Sequence, residues 1–435
     1  MSDARRRNVV RLVVLAVVCT VFAVSPGAPI AAPGDLIQRV YTDKARYSPG
    51  DSVTVTVEIK NNTGATWNGR LFLDIRHLET LSYSASQSLN VAAGATTTKT
   101  FNWTAPTTDF RGYHVEVRAG TTDSNATAID VSSSWTRYPR YGYVASFPPG
   151  QTQAQSAAKI KQLAEDYHLN SIQFYDWMYR HYRYEPPTGR TFRDTLGRRV
   201  SHDAVRVGVA AGHRLGIASL AYGSVYGAER EYVDQHPDER VFDADGRPLS
   251  LGETFYINDL RPGGPWRRRL MREYARTIRR LRTDGIHMDT YGPPHHGFSA
   301  RGEPIDFAGL YPGLIAEAAA TVATADPAAR VLFNCVEGFP LAAVATAPTA
   351  ALYLELWPPD LHYTDIVRWI DHAREVGQGR AIVIAAYISA FRTFEHEAGS
   401  RSGAVEAAVL LTCVIAASGA YHHVLAEGDR LLVEG

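Results

Sequence analysis

Acidic side chains follow several apolar runs in the second half of the chain. Asp289 closes the run Gly285–Met288, and Asp176, Glu337 and Glu355 stand in the same position after other runs. If these runs are strands of an alternating α/β barrel, their C-terminal ends face one active site. Two carboxyl groups that flank a sugar acetal can cleave it, one by attacking the anomeric carbon and the other by protonating the leaving oxygen. We therefore interpret Asp289 as a carboxylate that attacks a sugar.

Polar and aromatic side chains accompany these acids, and flat aromatic rings stack on sugar faces. The candidate substrate-binding residues are Tyr175, Asp176, Trp177, His181, Tyr291, Asn334, Trp357, Tyr387 and His423. Metal catalysis fits the sequence less well, because His422 and His423 are adjacent and would point to opposite faces of a strand. No G-x-S-x-G elbow and no phosphate-binding glycine loop is present in the sequence. We expect neither a metal nor a cofactor.

Strands and helices alternate from Tyr141 onward, which indicates a parallel sheet. The predicted strands are Tyr141–Ser146, Ser171–Trp177, Ile217–Tyr226, Ile286–Tyr291, Val331–Glu337, Ala351–Trp357, Ala381–Ile388 and Ala420–Leu425. The main predicted helices are Ala154–Tyr167, His202–Leu215, Trp266–Arg282, Phe307–Ala325, Tyr363–Val376 and Gly403–Ala417. Eight strands with intervening helices predict a (β/α)8 TIM barrel over residues 138–435. We expect this barrel to be C-terminally incomplete, because no eighth helix follows the last strand.

A separate β-domain is predicted over residues 35–134. The run Ser52–Ile59 alternates with period two, so one of its faces belongs to a core and the other to water. Further alternating runs at Arg70–Ile75, Thr97–Trp103 and Gly112–Val117 are separated by turn-rich segments. Short strands at regular intervals favour an immunoglobulin-like sandwich.

The N-terminus has the features of an export signal. Arg5–Arg7 supplies a positive start, Val9–Val24 is a mostly apolar run, and small residues follow it. We predict a signal peptide over residues 1–32 and a secreted, extracellular protein; the alternative is an uncleaved N-terminal anchor. Beyond this segment only Cys335 and Cys413 remain, so no disulfide framework is expected.

Charge and composition restrict the partners. The 435 residues contain 45 Lys and Arg and 45 Asp and Glu. This balance gives no reason to expect nucleic acid or, after signal cleavage, a membrane as partner. We expect a monomer.

Several of these motifs together resemble glycoside hydrolase family 66, which contains endo-dextranases and cycloisomaltooligosaccharide glucanotransferases. The resemblance lies in the runs Ser171–His181, Gly285–Gly292 and Tyr353–Trp357 and in the turn Tyr47–Asp51 of the β-domain. It covers about residues 35 to 430, and Gln-Phe-Tyr-Asp-Trp at 173–177 is its most specific part.

The resemblance implies a retaining mechanism with an Asp nucleophile on the fourth strand and a Glu acid/base further on. Asp289 matches the nucleophile, and Glu355 is favoured over Glu337 as the acid/base. Retention requires carboxyl groups about 5 Å apart. Asp176 matches an acid of the first sugar subsite; the alternative is a structural ion pair with Arg180 or Arg183.

Two departures from the family affect the expected function. The transferases carry a carbohydrate-binding insert around strand seven, whereas only a short segment separates Tyr387 from Gly403, which favours hydrolysis. The last helix and C-terminal β-domain of the family are missing from this sequence. We expect a secreted endo-hydrolase of α-1,6-linked dextran or isomaltooligosaccharides. The alternatives are a cycloisomaltooligosaccharide glucanotransferase, a non-catalytic α-glucan-binding protein, or a barrel hydrolase of another polysaccharide.

Overall fold

The computed structural model describes residues 36–121, 123–357, 362–387, 401–424, 426–427 and 430–431. The chain forms two compact units. The N-terminal β-strands belong to the first unit, and the parallel barrel belongs to the second.

The first unit contains two antiparallel sheets that share one apolar core. Its strands are β1 (Ile37–Thr42), β2 (Ser52–Lys60), β3 (Trp67–His77), β4 (Thr80–Val91), β5 (Thr96–Thr104), β6 (Arg111–Ala119) and β7 (Asp123–Val131). One sheet has the order β4-β3-β6-β7 and the other β1-β2-β5. The alternation in β2 works as predicted, because Val53, Val55, Val57 and Ile59 are all fully buried.

The second unit is built around a closed barrel of parallel strands in the order β8-β9-β12-β17-β20-β21-β22-β23. The eight predicted strands are therefore confirmed, with ends that differ by a few residues. The strands of the unit are β8 (Tyr141–Val144), β9 (Ser171–Phe174), β10 (Thr191–Arg193), β11 (Arg199–Ser201), β12 (Ala218–Ser224), β13 (Gly227–Glu229), β14 (Val241–Phe242), β15 (Ser250–Leu251), β16 (Phe255–Ile257), β17 (Gly285–Asp289), β18 (His296–Ser299), β19 (Pro304–Asp306), β20 (Arg330–Val336), β21 (Leu352–Leu356), β22 (Ile382–Ala386), β23 (Tyr421–Val424), β24 (Ala426–Glu427) and β25 (Arg430–Leu431).

The helices are α1 (Gln153–Glu165), α2 (His202–Arg214), α3 (Arg230–Val233), α4 (Pro265–Leu281), α5 (Phe307–Ala325), α6 (Leu341–Val344), α7 (Tyr363–Val376) and α8 (Arg401–Ala417). Pro265 opens α4, where its missing N–H leaves no helical hydrogen bond unmade. Asp306 precedes α5 and accepts a hydrogen bond from the Ala308 N–H at 3.2 Å, which satisfies one of the free donors of the first turn.

Gly285 allows the fourth barrel strand to pair closely with its neighbour. A Cβ at this position would lie 2.2 Å from the carbonyl oxygen of Arg330, so a larger residue would force β17 and β20 apart. The resulting register places β20 between β17 and β21. The carboxyl ends of these three strands carry Asp289, Asn334 and Glu355, which therefore meet at one rim of the barrel.

The described residues bear on some of the remaining sequence predictions. The predicted signal peptide, residues 1–32, lies outside them. None of the helices within the described ranges has an apolar stretch of the length needed to cross a bilayer. Cys335 is buried, Cys413 is half-buried, and both are free thiols.

Candidate active site

A single amide group joins the two central acids at the barrel rim. The Nδ2 atom of Asn334 donates hydrogen bonds to Oδ1 of Asp289 at 2.6 Å and to Oε2 of Glu355 at 2.5 Å. The Oδ1 atom of Asn334 is buried and has no hydrogen-bond partner among the described residues. Asn334 therefore acts as a double donor between two carboxylates rather than as the sugar contact that the sequence predicted.

This shared donor limits the distance between the two acids. Because both bonds start from one nitrogen, the two bonded oxygens cannot be further apart than 2.6 Å plus 2.5 Å, or about 5.1 Å. Retaining glycosidases hold their carboxyl groups about 5–5.5 Å apart, whereas inverting enzymes need about 6.5–9.5 Å to admit a water molecule. The geometry therefore fits the spacing of a retaining site.

The surroundings of the two acids separate their proton affinities. Burial raises the pKa of Asp289 to about 6, although hydrogen bonds from Asn334 and Tyr222 act in the opposite direction. Burial, and then the negative charge of Asp289, raise the pKa of Glu355 to about 8. Near neutral pH the pair therefore holds one proton, which resides on Glu355. An ionised Asp beside a protonated Glu is the state that a nucleophile and a general acid require.

Aromatic side chains surround Glu355. Trp357 Nε1 donates to Oε1 of Glu355 at 3.1 Å, and the Tyr387 hydroxyl also bonds to this carboxyl group. The rings of Trp357 and Tyr387 stack with centroids 3.9 Å apart. The structure thus brings both predicted aromatic residues to the acid, where they position the carboxyl group and shield it from water.

Asp176 lies near the pair and has an unusual backbone conformation. Its φ angle is +47°, a left-handed value that most residues with a side chain avoid. Its carboxylate accepts a hydrogen bond from Arg198 Nη2 at 2.9 Å, and Arg198 Nε is bound to Asp194 at 2.7 Å. The predicted alternative, an ion pair with Arg180 or Arg183, is wrong, because the partner is an arginine that follows the turn between β10 and β11.

His181 is buried on the same side of the site. Its Nδ1 atom lies 2.9 Å from Oε1 of Glu229, and its ring is packed edge-on against Phe255 at a centroid distance of 4.4 Å. His181 lines a small cavity together with Asp176, Thr195 and Phe255. It therefore remains a candidate for contact with a bound sugar.

Tyr175 and Tyr291 are half-buried aromatic residues that follow β9 and β17. The Tyr175 ring meets Tyr222 edge-on at a centroid distance of 4.7 Å. The Tyr291 ring lies against Tyr226 and Phe255, with centroid distances of 5.4 and 5.8 Å. Both residues keep some exposed surface and remain predicted sugar contacts.

Three predicted site residues require correction, because the structure does not bring them to the acids in an accessible form. The Glu337 side chain is exposed and its backbone φ is +54°, so it turns away beyond the end of β20. Trp177 is fully buried, and its Nε1 donates to the carbonyl oxygen of Tyr222 at 3.1 Å. His423 is 2% exposed and bonds through Nδ1 to the Tyr353 hydroxyl at 2.6 Å, within an aromatic cluster that includes Tyr141 and His287. Trp177 and His423 thus act as packing residues.

The sequence analysis missed Tyr222, Arg198 and Glu229. Tyr222 lies on β12, and its hydroxyl bonds to Asp289. Alternation along β12 could have revealed it, since Tyr222 and Ser224 share a face and Ser224 pairs with Asp289. Arg198 and Glu229 lie in irregular segments between barrel elements, where no period identifies a side chain's direction.

The described residues contain no group of three or more His, Cys, Asp or Glu side chains placed to hold a metal ion. The donors around Asp289 and Glu355 are instead amide, hydroxyl and indole groups. Such donors orient carboxyl groups and adjust their charge.

Known proteins share both the sequence and the fold of this chain. Two cycloisomaltooligosaccharide glucanotransferases from Niallia circulans are each 36% identical to it, over 93% and 89% of its length. The chain covers only 43% and 42% of the length of these relatives. A Paenibacillus sp. cycloisomaltooligosaccharide glucanotransferase, solved in complex with cycloisomaltoheptaose, superposes with a TM-score of 0.76 at 34% identity. That match covers 81% of this chain and 53% of the solved chain.

The family model agrees with these similarities. The model of glycosyl hydrolase family 66 matches residues 42–434, which include both sheets of the β-domain and the barrel with its paired acids. The chain therefore belongs to glycosyl hydrolase family 66, a family of glycoside hydrolase-type enzymes.

Proposed function

We propose that this protein is a retaining endo-glycosidase that hydrolyses the α-1,6-glucosidic linkages of dextran and isomaltooligosaccharides. The observation that carries the proposal is the shared donor Asn334, which limits the bonded oxygens of Asp289 and Glu355 to about 5.1 Å apart. This spacing favours direct attack by one carboxylate over attack by an intervening water molecule.

The proposed reaction has two displacement steps. First, an oxygen of Asp289 bonds to the anomeric carbon, the glycosidic C–O bond breaks, and the proton of Glu355 passes to the leaving oxygen. Glu355 is then ionised and can take a proton from water, whose oxygen attacks the anomeric carbon and releases Asp289. Asp176, His181, Tyr175 and Tyr291 are proposed sugar contacts, because they lie near the pair with accessible or cavity-lining side chains.

The substrate class rests on the relatives. Their names specify cyclic isomaltooligosaccharides as products, and the solved relative holds cycloisomaltoheptaose. This supports a second candidate function for the present chain, a glucanotransferase in which a glucose hydroxyl replaces water in the second step. Hydrolysis is favoured by the short segment between Tyr387 and Gly403 in the sequence.

Product analysis on dextran, starch and pullulan tests the proposal and separates the candidates. Hydrolysis of dextran gives linear isomaltooligosaccharides, whereas cyclisation gives rings that lack the water added across each cleaved bond. Starch and pullulan are expected to remain intact. Binding to insoluble dextran without any product would favour a non-catalytic glucan-binding protein and contradict the proposal.

Three variants test the assigned roles. Asp289→Asn and Glu355→Gln should abolish dextran hydrolysis, while Glu337→Gln is the matched control and should retain it, because the Glu337 side chain is exposed. Loss of activity in Glu337→Gln with normal turnover in Glu355→Gln would reverse the choice of acid/base.

Azide rescue distinguishes the roles of the two acids on an activated α-isomaltoside. Asp289→Gly should yield the β-glycosyl azide by a single displacement, whereas Glu355→Ala should yield the α-glycosyl azide by two. The opposite pattern would exchange the two assignments.

Two further proposals concern the N-terminal region. Antiparallel sheets that share one core support an immunoglobulin-like fold for the β-domain, and topology in a crystal structure would test it. The basic and apolar N-terminal sequence supports secretion after signal cleavage. N-terminal sequencing of protein from the culture medium should find a start near residue 33, and retention of all activity in cells would contradict export.

A further inference from the structure

Glu229 is a buried carboxylate beside the site that accepts several hydrogen bonds from two residues. Its Oε1 lies 2.9 Å from the His181 N–H, 2.9 Å from His181 Nδ1 and 2.5 Å from Thr195 Oγ1. Only 7% of its side chain is exposed. Although burial opposes ionisation, these donors hold the pKa of Glu229 below its ordinary value. Glu229 is therefore a fixed negative charge.

The bond to Glu229 determines which nitrogen of His181 is available to the cavity. Because Nδ1 is engaged by Glu229, Nε2 is the nitrogen left for another partner. In a neutral ring with Nδ1–H, this atom would present a lone pair, whereas in an imidazolium it presents an N–H donor. The charge on His181 therefore decides whether the cavity contains an acceptor or a donor.

The groups that face His181 favour the charged ring. The acids that act on it are Glu229 on β13, Asp176 after β9 and Asp289 at the end of β17, and together they raise the pKa of His181 even though burial lowers it. The positive group of this region, Arg198, is bound to Asp176 and Asp194. Tyr222 and Phe255 complete the ring's surroundings without adding charge. Charges thus alternate from Glu229 through His181, Asp176 and Arg198 to Asp194.

We propose that Glu229 is a positioning residue that holds His181 as an imidazolium beside Asp176, so that the two side chains form a donor–acceptor pair for adjacent hydroxyls of one bound glucose. This proposal rests on the proposed function of the site. Asp176 accepts from one hydroxyl and His181 Nε2–H donates to the next. Glu229 itself does not touch the sugar.

The Glu229→Gln variant removes the negative charge and keeps the shape. Without that charge the His181 ring becomes neutral near pH 7 and presents an acceptor to the sugar. We expect kcat/KM for isomaltooligosaccharides to fall about 10- to 100-fold, the effect of losing one hydrogen bond to a charged group, mainly through KM. We also expect the alkaline limb of activity to move to lower pH, because activity is lost when His181 loses its proton.

Two further variants separate charge from folding. Glu229→Asp keeps the charge and should restore most of the pH profile. Glu231→Gln is the matched control, since Glu231 lies two residues later, has a 47% exposed side chain and bonds to Arg180 and Tyr182. It should leave kcat/KM and the pH profile unchanged.

Nitrogen NMR of histidine-labelled full-length protein tests the proposal without substrate, with His181→Asn providing the assignment. The expected result is a doubly protonated His181 ring at pH 7 in the wild type and a neutral ring in Glu229→Gln. A neutral ring in the wild type would overturn the proposal, as would a Glu229→Gln variant that loses thermal stability while its pH profile stays unchanged. If no variant and no wild-type protein cleaves dextran, the proposed function fails, but the NMR result still decides the state of His181.

Discussion

Asn334 provides a test of how the two acids work as a unit. Replacing it with Ala removes the donor to both Asp289 and Glu355. A hydrogen bond to a charged group contributes about 1.5–3 kcal/mol. During the first displacement negative charge leaves Asp289 and develops on Glu355, so the bond to the first weakens while the bond to the second strengthens. The net loss in the transition state is therefore about one such bond, or about a 10- to 100-fold fall in kcat/KM.

The pH profile of Asn334→Ala gives a more specific signature than its rate. Hydrogen bonds from Asn334 lower the pKa of both acids, so their removal raises both values. Activity requires Asp289 ionised and Glu355 protonated, and both limbs of the bell-shaped profile should therefore move to higher pH together.

Initial rates on dextran between pH 4 and 10, roughly the range that brackets both pKa values, provide the assay. The matched control is Asn258→Ala, because Asn258 is buried and donates two hydrogen bonds, both to neutral carbonyl oxygens, at 2.9 and 3.0 Å. This control should unfold at a lower temperature with its pH profile in place. A profile that stays fixed in Asn334→Ala, with kcat/KM close to the wild type, would refute the role of Asn334 as a shared donor.

Three other predictions follow from the same pair. Wild-type activity should rise with pH through about 6 and fall through about 8, as Asp289 and then Glu355 lose their protons; a profile flat to pH 10 would contradict this assignment. Glu355→Gln should melt at a higher temperature than the wild type at pH 8.5 and at the same temperature at pH 4.5. The folded-state pKa of Glu355, about 8, lies above the ordinary 4.5, so wild-type stability is lost as pH rises between these values, and equal melting curves at both pH values would refute its burial as a proton holder. Tyr387→Phe should move the alkaline limb to higher pH, because the lost hydrogen bond lowers the pKa of Glu355; an unmoved limb would contradict that contact.

The barrel could be predicted because its physical signals are local. Buried parallel strands appear as short apolar runs between amphipathic helices, and their order along the chain is their order in the barrel. The same rule placed Asp289 and Glu355 at one rim. It also placed Asn334 between them, although its role as a donor to both acids depends on side-chain geometry that no strand pattern contains.

The sequence failed where the backbone leaves regular structure. Asp176 and Glu337 adopt positive φ angles just beyond their strands, so the periodicity that orients strand residues stops applying to them and to Trp177. His423 illustrates a different limit. It faces the barrel interior as alternation allows, but at a depth where Tyr353 and Tyr141 enclose it. Glu229 was missed because β13 has only three residues, too few for a periodic signal.

The anomeric configuration of the first product tests the central claim most directly. Proton NMR of dextran or a short isomaltooligosaccharide during the first minutes of hydrolysis, before mutarotation, reports whether the new reducing end is α or β. Two displacements through Asp289, at the carboxylate spacing set by Asn334, predict the α anomer first. Initial release of the β anomer would mean a single displacement by water and would contradict the roles assigned to Asp289 and Glu355.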